Sequence, residues 1–353
     1  MRSFLLVLCF TGMISCHKNP NSVQPAPPPL PPVDSTTFTD PLLSSGPDPW
    51  VAQKDGYYYY TETQGNKISL WKTKAMSQLK DVTATTVWNA VPGTAYSGDV
   101  WAPEIHYLDN KWYIYFAADS NGYDETHRLY VLENSSADPT TGKWEIKGKI
   151  AEPSNNWAID ASEFDYNGAS YLIWSGWINS LGGQQNIYIA KLSNPYTISG
   201  NRVLISSPIY TWEKNGFPVN EGPEVIANAA GNIFLTYSAS FCGTDSYCLG
   251  MLSLKAGGDP LNASNWTKSA TPVFTTNSSG GAFGPGHNGF FLSPDGKENW
   301  IIYHANSVPH PNNDGCGDSR SPRMQKFTWN ADGSPNFGTP VAINTPIKKP
   351  AGE

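Results

Sequence analysis

Five short polar motifs hold the residues of this chain whose types and spacing suit chemistry. They are Gly46-Pro47-Asp48-Pro49-Trp50, Trp101-Ala102-Pro103-Glu104, Ala158-Ile159-Asp160-Ala161-Ser162, Glu221-Gly222-Pro223-Glu224 and Gly284-Pro285-Gly286-His287. Four contain carboxylates and the fifth a histidine. Carboxylates gathered in one groove suit cleavage of a glycosidic bond, in which one protonates the leaving oxygen and another activates water or attacks directly. The acid must still hold its proton near neutral pH, and burial or a neighbouring carboxylate raises a carboxyl pKa toward that range. A third carboxylate can tune the acid without acting itself. Trp50, Trp101, Trp157, Trp174 and Trp177 lie close to these motifs and offer flat apolar faces to sugar rings. Trp174 reads as packing between sheets, whereas Trp101, close to Glu104, reads as part of the site.

Asp-Pro and Gly-Pro pairs are also ordinary turn chemistry. Their regular recurrence argues for more. Each motif precedes a short strand rich in aromatic and β-branched residues: Gly56–Thr61, Lys111–Phe116, Ser170–Trp174, Asn232–Tyr237 and Asn299–Tyr303. The unit recurs roughly every 60 residues, and no stretch has a helical period. Five such units predict an all-β fold, a five-bladed β-propeller, in which the innermost strand of each blade lines a central channel. Asp48, Glu104, Asp160, Glu221 and His287 are then expected as near neighbours at one end of that channel.

Composition agrees with an all-β domain, since only 15% of residues are charged, 13% are aromatic, and 32 Gly and 29 Pro supply turns. A net charge of −7 with no basic cluster beyond Lys348-Lys349 argues against a nucleic-acid partner. The chain opens with Arg2, an apolar run from Phe4 to Phe10, and Ser15-Cys16, which reads as a signal peptide over residues 1–15. The run is too short to stay as a spanning helix. Cys directly after the small residue is similar to a bacterial lipobox, which implies export and a lipid anchor at Cys16 in the outer membrane. Residues 16–36 are Pro-rich and read as an extended tether, leaving residues 37–353 for the catalytic domain. Cys242, Cys248 and Cys316 remain, enough for one disulfide whose pairing is open. No pattern encodes an oligomer contact, and a monomer is expected.

Taken together, the motifs resemble glycoside hydrolase family 43, over about residues 40–345. The resemblance implies that Asp48 is the general base, Asp160 orients the acid and adjusts its pKa, and Glu221 is the general acid. It implies inversion in a single displacement, which needs base and acid about 6.5–9.5 Å apart. It also implies that Trp50, Trp101, Glu104 and Arg323 contact substrate, and that His287 holds a hydrated calcium ion on the channel axis. Gly284–Asn288, Trp300–Ala305 and Arg320–Phe327 are most similar to the exo-acting α-L-arabinofuranosidases of the family. The expected partners are therefore plant cell-wall arabinan or arabinoxylan. β-Xylosidase or endo-arabinanase activity is the alternative, and a non-catalytic glycan-binding lipoprotein a further one.

Overall fold

The computed structural model describes residues 35–353. The expected signal peptide, Cys16 and all but the end of the tether lie outside the described residues. A compact unit spans Thr36–Glu353.

Its strands form five antiparallel four-stranded sheets and one two-stranded pair. The pair joins β1 (Thr37–Phe38) to β22 (Ile347–Lys348). Blade 1 is β2 (Trp50–Lys54), β3 (Tyr57–Thr61), β4 (Lys67–Thr73) and β5 (Thr85–Asn89). Blade 2 is β6 (Gly98–Leu108), β7 (Lys111–Ser120), β8 (Tyr123–Asn134) and β9 (Glu145–Lys149). Blade 3 is β10 (Ala158–Tyr166), β11 (Ala169–Gly176), β12 (Asn186–Asn194) and β13 (Thr197–Ser206). Blade 4 is β14 (Asn220–Ala227), β15 (Ile233–Ala239), β16 (Cys248–Leu254) and β17 (Trp266–Lys268). Blade 5 is β18 (Phe283–Leu292), β19 (Asn299–Asn306), β20 (Ser321–Trp329) and β21 (Pro335–Asn336). Each blade is a meander in chain order. The inner strands β2, β6, β10, β14 and β18 touch in sequence, and β18 meets β2. This is the five-bladed propeller.

The continuous apolar runs of the second strands follow from this packing. Successive side chains on a strand point to opposite faces, and both faces of a blade are covered by neighbouring blades. Tyr58 and Tyr60 pack with Trp300 and Ile302 of blade 5, while Tyr59 between them packs with Trp112 and Ile114 of blade 2. Tyr113 and Tyr115 turn the other way, onto Leu172 and Trp174 of blade 3. Trp174 is fully buried there, as its packing role requires. The seam between blades 4 and 5 is also apolar, built from Leu249, Phe274, Ile301 and Tyr303.

Blades 1 and 5 are joined by polar contacts as well. The Gln53 side chain donates to the Leu292 carbonyl (2.8 Å) and accepts from the Leu292 amide (2.7 Å). The terminal segments tie in as well, where Asp40 accepts from the Met324 amide of blade 5 and the Glu353 carboxylate accepts from the Met76 amide between β4 and β5. All inner strands start at one end of the channel. In an antiparallel meander, the link between second and third strands returns to that same end, so two sets of loops crowd around it.

Candidate active site

The inner strands share an irregularity at that end. Asp48 (φ 55°), Ala102 (42°), Asp160 (57°), Gly222 (51°) and His287 (46°) all adopt left-handed backbone. In β6, β10, β14 and β18 the register to the next strand shifts there. Such bulges re-aim side chains and are common beside active sites. Glycine suits 222, where the backbone is left-handed and a Cβ would crowd the His287 ring at 3.1 Å. The bulges open onto a cavity of about 690 Å³ bordered by Asp48, Asp160, Glu221, His287, Trp101 and Arg320, among others.

Asp48 is buried and held on every side. Arg320 donates from Nη1 to its Oδ1 (2.8 Å), and Thr63 donates from Oγ1 to its Oδ2 (2.7 Å). His287 Nδ1 lies 3.3 Å from Oδ1. The Asp48 amide donates to His304 Nδ1 (3.0 Å), which places the His304 proton on Nε2. Burial holds His304 neutral, its pKa well below the usual value. Burial alone would raise the Asp48 carboxyl, but Arg320, then His287, His304 and Thr63, outweigh it and hold the group well below the carboxylate range. It stays ionised at any working pH.

Glu221 is buried to a similar degree but has no guanidinium bonded to it. Tyr247 donates its hydroxyl to Glu221 Oε1 (2.8 Å). Burial pushes the Glu221 carboxyl up to about 7, with the Asp48 charge adding to the rise and Tyr247 and Arg320 opposing it. Asp160 accepts from the Gly222 amide (2.9 Å), the residue after Glu221. Its carboxyl is also raised, first by burial and then by Glu221 and Asp48, against His287 and the Gly222 amide. One cavity therefore presents an ionised carboxylate and a carboxyl able to keep its proton near neutrality. Trp101 stacked on His127 (centroids 4.0 Å) and Trp157 stacked on Trp177 (4.9 Å) form an aromatic wall.

Residues 38–335 match the sequence profile of the glycosyl hydrolases family 43. The chain belongs to that family. It is 43% identical over 354 aligned residues to the extracellular exo-α-(1→5)-L-arabinofuranosidase of Streptomyces avermitilis, covering 99% of this chain and 72% of that protein. An enzyme of the same name from Streptomyces chartreusis is 37% identical, over 81% of this chain and 86% of that one. The crystal structure of an α-L-arabinofuranosidase from Lactobacillus brevis superposes with a TM-score of 0.83 at 37% identity, covering 87% of this chain and 98% of that one.

Within this family-43 propeller, three of the expected contact residues lie away from the cavity. Arg323 is fully buried in β20, donating to the Gly281 and Ala305 carbonyls and to Ser307 Oγ. Arg320, just before the strand, reaches the cavity in its place. Glu104 sits deeper in the channel, 3.1 Å from His106 Nε2, and keeps the buried Glu224 carboxyl raised well above its usual value after burial itself. Trp50 donates to the Ile105 carbonyl and stacks on His106. The bulge explains Glu104 and Trp50. Both fall two residues beyond the left-handed position of their blade, whereas Glu221 falls one residue before it.

Arg320, Thr63, Tyr247 and His304 were not anticipated from the motifs. Thr63, Arg320 and Tyr247 come from links between second and third strands, readable only once the blades are delimited. Cys242 and Cys316 form the disulfide and border the cavity, while Cys248 is buried with its thiol pushed up to about 12 by burial.

Proposed function

We propose that this chain is an inverting, exo-acting α-L-arabinofuranosidase that releases L-arabinofuranose from arabinan or arabinoxylan side chains. The observation that carries the reading is the opposed electrostatics of Asp48 and Glu221 across one cavity. The similar Streptomyces enzymes named exo-α-(1→5)-L-arabinofuranosidases support the sugar and the exo mode. In this reading Glu221 gives its proton to the glycosidic oxygen as the bond to C1 breaks. Asp48 accepts a proton from the water that attacks C1 on the opposite face. Asp160, bound to the Gly222 amide, fixes the turn that carries Glu221. The aromatic wall packs against the sugar's apolar face.

For the calcium expected at His287, the fit is limited. Among the described residues no three His, Cys, Asp or Glu side chains gather where they could hold a metal ion. Water or other oxygen donors would have to complete the shell around His287, because calcium prefers oxygen. No step is routed through it. We also read the chain as exported and anchored through Cys16, on the leader sequence and on relatives named extracellular.

The test is product analysis of the full-length protein on linear arabino-oligosaccharides, arabinoxylan and paired aryl α-L-arabinofuranoside and β-xyloside. Arabinose as the sole early product supports the proposal. Release of longer oligomers only would make the enzyme endo-acting, xylose release only would change the sugar, and binding without turnover would leave a glycan-binding lipoprotein.

A further inference from the structure

The Cys242–Cys316 disulfide spans two blades. It joins the β15–β16 link of blade 4 to the β19–β20 link of blade 5, and both cysteines border the cavity. The fold does not need it to join these blades, since their seam is already an apolar core. The link it restrains, residues 307–320, is long and lacks regular structure, and links of that kind usually serve a function or are mobile.

That link ends in the arginine that meets Asp48. Arg320 makes two polar side-chain contacts. Nη1 donates to Asp48 Oδ1 (2.8 Å), and Nε donates to the Gly317 carbonyl (3.2 Å). Gly317 directly follows Cys316, so the disulfide fixes the carbonyl that aims the guanidinium. The two links also meet closely beside the bond. The Gly315 amide donates to the Gly243 carbonyl (3.0 Å), and a Cβ on Gly243 would fall 2.2 Å from the Asn313 carbonyl oxygen. The same restraint reaches the blade 4 side, where Phe241 also borders the cavity.

We infer that the Cys242–Cys316 disulfide is a positioning device for the reaction, holding the 307–320 link so that Arg320 stays on Asp48. The inference rests on the reading of Asp48 as the base. A guanidinium that drifts from Asp48 releases Oδ1 and leaves Thr63 to hold the carboxylate at Oδ2, so that it can turn from the line of the attacking water, and small misplacements of reacting groups are costly. Arg320 and the cysteines are positioning residues, because none of them is assigned a bond to the reacting atoms.

The experiment is a cycle on aryl α-L-arabinofuranoside at 25 °C, with rates normalised to folded protein by near-ultraviolet circular dichroism. It compares wild type, Cys242→Ser/Cys316→Ser, Arg320→Ala, and all three changes together. Arg320→Ala is expected to lower kcat about 10²-fold. Loss of the disulfide is expected to lower kcat about tenfold with KM changed less than about threefold, and to cost under about twofold once Arg320 is gone. A disulfide-free protein with a lower Tm and wild-type kcat would overturn the inference. So would an equal cost of disulfide loss with and without Arg320. Where the serine variant fails to fold, the folded wild type is reduced and both sulfurs are alkylated. Full kcat in that species overturns the inference, and loss of kcat that reoxidation of an unalkylated sample restores supports it. A wild type that cleaves no arabinofuranoside fails the proposed function instead, which is a separate result.

Discussion

The blade 1 and blade 4 corners of the cavity each present one buried carboxyl, and the two are built in opposite ways. Around Asp48, blade 5 supplies Arg320, His287 and His304, and blade 1 supplies the Thr63 hydroxyl. Around Glu221, the direct partner is a neutral phenol, Tyr247, itself buried and stacked on His304. Burial acts on both in the same direction. The Arg320 guanidinium, with the polar groups beside it, reverses it at one corner only. In a propeller, each blade contributes to the same channel end but from a different chain segment, so charge can be concentrated on one side of a narrow site. The contrast separates a permanent carboxylate from a carboxyl that can keep its proton near neutrality, without any difference in residue chemistry.

The largest expected effect comes from removing the carboxylate with no change of shape. Asp48→Asn should lower kcat roughly 10²–10⁴-fold on every arabinofuranoside, measured as arabinose release. A variant with near-normal kcat would remove Asp48 from the reaction and end the comparison.

A smaller effect sharpens the Glu221 corner. The Tyr247 hydroxyl donates to Glu221 Oε1 and so favours the ionised form. Its loss raises a carboxyl already near 7. In Tyr247→Phe the alkaline limb of the kcat profile should therefore move up by about half a unit to one unit. Asp48, Asp160 and Arg320 also act on Glu221 and are unchanged in this variant. An unmoved limb would mean that a different group sets it.

The smallest effect is on stability. The folded pKa of Glu221, about 7, lies above its unfolded value of about 4.5. A raised carboxyl stabilises the fold most below the unfolded pKa and loses that contribution as pH rises through the folded one. Wild type at pH 8 thus bears the cost of a buried charge that Glu221→Gln lacks. The variant should be more stable by roughly 1–3 kcal/mol at pH 8, with a higher Tm, and similar to wild type at pH 4. Equal Tm values at both pH values would show that Glu221 is solvated in the folded protein.

Much of the architecture was legible in the sequence, because its physical causes are local. Aromatic strands after turn formers, repeated five times, have few solutions other than five blades. The three carboxyls Asp48, Asp160 and Glu221 were found for the same reason, since each stands at the start of an inner strand. The register within each motif was less legible. Pro103 and Pro223 align the second and fourth motifs, and the left-handed residue directly before each is Ala102 in one and Gly222 in the other, so Glu104 matches Glu224 and it is Trp101 that matches Glu221. A shift of one or two residues around a left-handed turn decides whether a carboxyl faces the cavity, as Glu221 does, or the depth of the channel, as Glu104 does. Arg323 and Arg320 differ in the same way, one inside β20 and one just before it. The residues that complete the site from links between strands have no motif of their own, and the pairing of Cys242 with Cys316 depends on two such links meeting across blades.

The most direct test of the division of labour is a leaving-group comparison with Glu221→Gln. Cleavage of an arabino-oligosaccharide needs a proton on the departing oxygen, whereas a dinitrophenyl α-L-arabinofuranoside departs without one. Glu221→Gln should lose about 10³-fold in kcat on the oligosaccharide but stay within about tenfold of wild type on the dinitrophenyl glycoside. Equal losses on the two substrates would contradict the assignment of Glu221 as the acid.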